Sequence, residues 1–400
     1  MQLYPRPGKK FLAVRQAISL LIAALMLSTS PFTIAAAQEA SPETTNPFYD
    51  QAEFDRQLAL QDIAPSGPAD QPWLQMIDPD MIDTTAYQAK TPGDWTLCFS
   101  NAGNDNAWRQ TGFITMQQEV KLHPEIGEFI VADAGSDDAA QIAGIEDLLT
   151  QDCDALIVSP NTNAALTPAV EAACEQLPVI VFDRNVSTDC PVTYIHPVGG
   201  YAFGADAANF IADHAGPGGK VLALRSLPGV DVLETRWAAA EHIFAERGID
   251  VVGVEFTGGD DAAVQRIVTD YVQQEGTLDG IWFDAGETAI GAIAAYDALG
   301  MDVPPITGED QNNFLMAWAE NDLTAIAPVY SNFQWRTAVI AATMILEGEP
   351  VPAEWILPQT PITSETLADF VNPDMPGTWY ATCGCQDMEG FPELWNGSNP

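Results

Sequence analysis

From Trp95 onward the hydrophobic positions alternate between short continuous apolar runs and longer stretches of helical period. Runs at 95–100, 128–132, 155–159, 179–183 and 192–195 are short and almost wholly apolar, so they predict buried strands. Between them, 105–121, 137–151 and 166–175 read as helices. In the second of these, Ile142, Ile145, Leu148 and Leu149 mark one buried face. After His196-Pro197-Val198-Gly199-Gly200 the alternation restarts. Helices are predicted near 201–214, 232–246, 261–274, 286–299 and 311–319, and strands at 221–224, 251–255, 280–284 and 305–307. A strand at 325–330 and a helix at 333–347 come before a Pro-rich tail. Strands alternating with helices imply βα units and parallel sheets. The chain therefore reads as α/β, with two doubly wound lobes in succession and no exact repeat between them.

The first 92 residues follow other rules. Arg6, Lys9, Lys10 and Arg15 are followed by an apolar run from Ala17 to Leu27 and by small residues ending at Ala35-Ala36-Ala37. That order is a secretory signal peptide, with cleavage expected near Ala37. The apolar run falls well short of the roughly 20 residues that span a bilayer. No Cys follows it directly, which disfavours a lipid anchor. Residues 38–92 are acidic, interrupted by seven prolines and free of sustained period. They read as an extended preface, partly ordered at best.

Composition sharpens the compartment. The chain holds 56 acids against 15 bases, a net charge of −41. Cleavage would remove four bases and no acid, leaving 11 bases against 56 acids and a charge of −45. Nucleic acid is excluded as a partner, because binding it needs a basic surface that releases counterions. Only Lys90, Lys121 and Lys220 remain as lysines, beside eight arginines. Such a surface suits a salty external medium, an expectation that equal stability in very low and molar salt would refute.

In open parallel sheets, ligands bind beyond the carboxyl ends of the strands. The residues there include Asp105 to Arg109 after the first strand, Asp183-Arg184-Asn185 after the fourth, Asp284 to Glu287 after the eighth and Gly308 to Asn312 after the ninth. Guanidinium forks and carboxylates hold adjacent hydroxyls in pairs, and an aromatic face covers the apolar patches of a sugar ring. Trp108, Arg109, Asp183, Arg184, Arg236 and Asp310 form the set that suits a sugar or polyol. Each has a plainer reading, with Asp310 as the N-cap of the helix that follows, Trp108 as core and Arg236 as a surface ion-pair partner. Catalytic constellations are weak. His123, His196, His214 and His242 are not spaced as a metal pair, no G-x-S-x-G elbow occurs, and Gly216 to Lys220 precedes a strand, unlike a phosphate loop. Neither an enzyme nor a cofactor or metal site is expected.

These blocks resemble the periplasmic sugar-binding proteins of ABC importers with the ribose-binding type of fold. The resemblance rests on Asn106-Ala107-Trp108-Arg109, Asp133 to Asp137 with Gln141-Ile142, Ile157 to Asn161, Val181-Phe182-Asp183-Arg184 and Gly229 to Arg236, and covers about residues 92–350. The Trp-Arg turn together with the Asp-Arg pair is closer to the galactofuranose-binding branch than to the ribose one. It implies ligand contacts by Asp105, Asn106, Trp108, Arg109, Asp183, Arg184, Arg236 and Asp310. Where relatives often place an Asn-Asp pair, this chain has Asp284-Ala285-Gly286, and near Pro328, often a Gln in the family, Tyr330 or Gln334 would substitute.

The implied architecture is a type I periplasmic binding protein with a multi-strand hinge. Its N-terminal lobe spans 93–197 plus 331–355, its C-terminal lobe 198–330, and a tail at 356–400 returns over the hinge. The implied function is capture of a sugar or polyol by a monomer whose lobes close and present it to an ABC permease. Docking on a chemoreceptor or sensor kinase is the alternative output. An exported sugar-modifying enzyme is a more distant one.

Export permits disulfides among the six cysteines. Cys153 and Cys174 both precede strands, which places them at one end of the sheet, where they could meet. Cys190 follows the fourth strand and is expected about 20 Å from Cys174, closer to Cys383 or Cys385 on the returning tail. Cys98 reads as a buried free thiol, and Cys383-Gly384-Cys385 leaves a metal site open.

Overall fold

A computed structural model describes residues 46–396. The signal-peptide reading of residues 1–37 lies outside them. The central apolar runs become strands because they are buried along nearly their whole length, and parallel sheets covered by helices on both faces meet that demand. The edge strands over 126–133 and 250–256 are only partly covered. After helix α1 (Gln51–Gln61) and strand β1 (Met81–Ile82), the first lobe is laid down in alternation. It comprises β2 (Trp95–Asn101), α2 (Ala107–Leu122), β3 (Ile126–Asp133), α3 (Asp138–Leu148), β4 (Ala155–Ser159), α4 (Asn163–Cys174), β5 (Val179–Phe182) and β6 (Thr193–Pro197). The second lobe comprises α5 (Gly200–Ala215), β7 (Lys220–Arg225), α6 (Asp231–Arg247), β8 (Asp250–Phe256), α7 (Asp261–Glu275), β9 (Gly280–Phe283), α8 (Ala289–Leu299), β10 (Ile306–Thr307), α9 (Asn312–Asn321) and β11 (Ala325–Ile326). The chain then returns to the first lobe as α10 (Gln334–Glu347), β12 (Val351–Pro352) and β13 (Glu354–Leu357).

Two parallel sheets result, ordered β13-β6-β5-β4-β2-β3 and β11-β10-β9-β7-β8. Helix α10 is buried almost throughout, its Trp335, Val339 and Ile345 packed against Phe99, Ile157 and Phe182 of the first sheet. The chain crosses between lobes at 198–200, again at 327–333, and a third time after β13, where Ile362 pairs with Ala327. The strand expected over 325–330 is confined to Ala325–Ile326, because Ala327 turns to that partner and Pro328 has no N–H to give.

Residues 46–92 differ from the extended preface expected. Asp50 caps α1 by accepting from the Glu53 amide, and α1 buries Phe54 and Leu60. Phe54 packs on Tyr201 and Ala205 of α5, while Trp73 joins the core of the first lobe. The segment is ordered without a core of its own, so its few apolar residues follow no internal period.

The cysteine reading is also corrected. The bonds are Cys98–Cys153, Cys174–Cys190 and Cys383–Cys385. Cys98 is not a free thiol, since its side chain leaves β2 on the face covered by α3 and α4, where the loop before β4 brings Cys153. Cys153 is thereby taken from Cys174. Cys190 meets Cys174 because β6 is parallel to β5, so residues 183–192 must run back to the starting end of the sheet. There the Val192 amide donates to the Val179 carbonyl. Cys383 and Cys385 are paired with each other, which leaves neither for Cys190 or for a metal.

Candidate functional site

A cavity of ≈ 500 Å³ opens between the carboxyl ends of the two sheets, within the range typical of small-molecule sites. Eight of the ten residues singled out from sequence line it. They are Asp105, Asn106, Trp108 and Arg109 from the start of α2, Asp183 and Arg184 after β5, Arg236 on α6 and Tyr330 after β11. A second cavity, of ≈ 560 Å³, lies between the 70–75 segment and the tail, near Trp73, Phe333 and Phe370. It is lined by the crossings between lobes, through Val329, Ser331 and Pro358, and draws no arginine from either lobe.

On the first-lobe wall, Asn106 caps α2 by accepting from the Arg109 amide, which fixes the turn that presents Trp108 and Arg109. The Arg109 guanidinium is buried. Its Nη2 donates to Asp183 Oδ2 at 2.8 Å, and its Nη1 to Ser159 Oγ at 3.2 Å and Asn101 Oδ1 at 3.4 Å. Burial pushes its pKa down, and the Asp183 charge opposes that shift. Asp183 itself has φ +71, a left-handed conformation that is uncommon for a residue with a side chain. Its amide donates to the Ile195 carbonyl, and its own carbonyl accepts from the hydroxyls of Tyr194 and Tyr330. Arg184 donates through Nη1 to the Asn161 carbonyl. The Trp108 indole donates to the Tyr330 carbonyl at 3.1 Å, which joins this wall to the hinge. Asp105 is exposed and accepts from Ser136 Oγ.

The second-lobe wall centres on Arg236. Its guanidinium lies 3.7 Å over the Phe203 ring and 5.1 Å from the Tyr330 ring, and Nη1 donates to Glu309 Oε1 at 2.9 Å and to the Asp284 carbonyl at 2.6 Å. Glu287 accepts from Ser226 Oγ. Burial is the main cause that pushes Glu309 up to about 7, against the pull of Arg236. Burial likewise raises Tyr330 far above an ordinary phenol.

Two selected residues sit behind this wall. Asp284 is wholly buried, accepts from the Ser226 amide at 2.7 Å and faces Arg225, with burial raising it to about 7. Asp310 accepts from both the amide and the hydroxyl of Thr382 on the tail. It does not cap α9, whose N-cap is Gln311. Of the further polar lining residues, Glu287, Glu309 and Gln311 lie in the strand-end segments named from sequence without being selected, and Ser226 and Tyr380 lie outside them. Glu309 and Gln311 flank Asp310, and in extended chain neighbouring side chains point opposite ways. The alternation around Asp310 was the available signal. Tyr380 comes from the tail and carried none.

A family model described as "Periplasmic binding protein domain" matches residues 97–350. The ribose import binding protein of Bacillus subtilis is 28% identical over 223 residues, covering 56% of this chain and 72% of that protein. Among solved structures, an ABC transporter solute binding protein from Bacillus halodurans C-125 with bound myo-inositol superposes with a TM-score of 0.63 at 22% identity, over 70% of this chain and 99% of that one. A galactofuranose binding protein superposes with a TM-score of 0.60 at 16% identity, over 69% and 96% of the two chains. The structural likenesses fix the fold as that of a two-lobe type I periplasmic binding protein.

Proposed function

The chain belongs to the periplasmic binding protein domain family, and on that premise we propose that it captures a sugar or polyol between its lobes and delivers it to an ABC permease. The observation that carries this reading is the meeting of Trp108, Arg109, Asp183, Arg184, Arg236 and Tyr330 around one ≈ 500 Å³ cavity at the mouths of two sheets. Aromatic faces there can cover a sugar ring while ionised groups of fixed orientation take its hydroxyls. Closing the lobes would expel water and strengthen those charged hydrogen bonds, which lets a small polar solute compete with its own hydration. The three crossings between lobes supply the hinge, and they support a division into 93–197 plus 331–355, 198–330 and a tail at 356–400.

The protein acts in this reading as an exported monomer, and among the described residues no helix is long and apolar enough to cross a membrane. Binding proceeds without turnover, in keeping with relatives that serve transporters; conversion of a bound sugar by the pure protein would overturn that point. A thermal-shift screen across pentoses, hexoses, furanoses and polyols is expected to return a stabilising ligand. Arg184→Ala and Asp183→Ala should each weaken its binding about tenfold or more. Unchanged affinity in both variants would reject this cavity as the site.

A further inference from the structure

The tail beyond the family match is built into the second lobe. Ala327 and Ile362 exchange both backbone hydrogen bonds, and the Asn312 side chain donates to the carbonyls of Asn372 and Met375. The amides of Asn312 and Asn313 then donate to the Trp379 and Gly377 carbonyls, and the Ala381 amide donates to the Asp310 carbonyl. Residues 377–382 thus run antiparallel to 310–313, with Gln311 opposite Tyr380. That register brings Tyr380 to the cavity wall beside Gln311 and Glu309. Its hydroxyl lies 3.5 Å from Glu309 Oε2, while the other carboxylate oxygen accepts from Arg236.

We propose that Tyr380 is a ligand-contacting residue that sets specificity, reading one hydroxyl of the sugar or polyol together with Glu309. This rests on the functional reading above. At 3.5 Å the phenol donates only weakly to Glu309, so its proton is available to a ligand oxygen, and the same ligand hydroxyl can donate onward to the carboxyl group. A wall arranged to exchange hydrogen bonds with a hydroxyl discriminates strongly against an analogue that lacks it, because its buried polar groups are then left unpaired. The cavity has three sources in this view: the first lobe, the second lobe and the tail.

The test uses the full chain, the best sugar from the thermal-shift screen and that sugar's monodeoxy analogues, with affinities from titration calorimetry. Wild type should lose about tenfold or more for one deoxy analogue. Tyr380→Phe should lose a similar factor for the parent sugar and bind that one analogue as wild type does, with an unchanged melting temperature when unliganded. A Tyr380→Phe protein that keeps the wild-type preference over every deoxy analogue overturns the inference and leaves the functional reading standing. If wild type binds no sugar or polyol in the screen, the functional reading falls and takes this inference with it.

Discussion

The two lobes share an architecture and are secured differently. The first carries Cys98–Cys153, from β2 to the loop before β4, and Cys174–Cys190, from the end of α4 to the loop before β6, and its wall pairs one arginine with one carboxylate, Arg109 with Asp183. The second has no cysteine between residues 198 and 330. Its Arg236 serves Glu309 and the Asp284 carbonyl at once, and residues 310–313, the entry to α9, are held by the tail. The first lobe is therefore tied covalently at the starting end of its sheet, and its wall at the opposite end is fixed by matched charge. The second wall has carboxyl groups held near neutrality by burial and a position that depends on a segment arriving last in the chain. A two-lobe binding site can in this way join a rigid half to an adjustable one.

Removing the ties of the first lobe is the most severe way to break that contrast. In the chain-entropy account, the Cys98–Cys153 bond closes a 55-residue separation and the Cys174–Cys190 bond one of 16. Those loops are worth about 4 and about 3 kcal/mol respectively. Paired Cys→Ala variants should lose stability in that order in urea unfolding. Hydrogen exchange should rise in α3 and α4 before it rises in α6 or α7. Equal loss of protection in both lobes would show that they unfold as one unit and that the contrast is only local.

Asp183→Ala should cost about 3 kcal/mol even without ligand, because it leaves the buried Arg109 charge without its partner. Ser159 and Asn101 would remain as neutral acceptors. A loss below about 1 kcal/mol in the same urea titration would mean that solvent reaches the guanidinium and that the first wall is less fixed than its geometry implies.

The second wall should respond to pH instead. Asp284 and Glu309 have pKa values raised to about 7 in the folded protein, so the folded state binds protons more tightly than the unfolded chain. Their contribution to stability is full below the ordinary carboxylate range and is lost as pH rises through about 7. Asp206 on α5, raised to about 7 by burial, acts with the same sign. Melting temperature should therefore fall between pH 5 and pH 8, and Glu309→Gln should flatten part of the slope. Glu354 of the first lobe works the other way. His196 is the main cause that holds it near 2, so its contribution is lost only as pH falls from the ordinary carboxylate range toward 2. A stability profile that is flat from pH 5 to pH 8 would sink the distinction.

The sequence exposed the lobes because buried parallel strands need uniformly apolar runs; β4 is found at 155–159, where it was expected. It concealed whatever depends on a return path. Cys190 was misplaced by following the end of β5 forward when the chain doubles back to begin β6. Residues 46–92 hid their order because their apolar side chains complete other cores. At the cavity, the arginines and Trp108 stood out by chemistry and strand-end position. Asp284 and Asp310 shared that position, yet their side chains turn away from the cavity to Ser226 and Thr382, a choice of side that residue type alone does not reveal.

The smallest predicted effect concerns the tail as the second lobe's substitute for disulfides. Thr382 donates both its amide and its hydroxyl to Asp310 Oδ2, at 2.9 and 2.6 Å, and its carbonyl accepts from the Phe333 amide at the start of α10. One residue thus ties the loop after β10 to the helix that returns to the first lobe. Thr382→Val keeps the shape and the backbone bonds but removes the hydroxyl, which should cost about 1–2 kcal/mol. If the Thr382 contact serves only the second lobe, exchange should quicken at 308–313 and 377–382 while β2 to β6 stay protected. Faster exchange in α10 as well would mean that the same contact also stiffens the hinge, and the adjustable wall would then be governed from the crossing between lobes instead of from the tail alone.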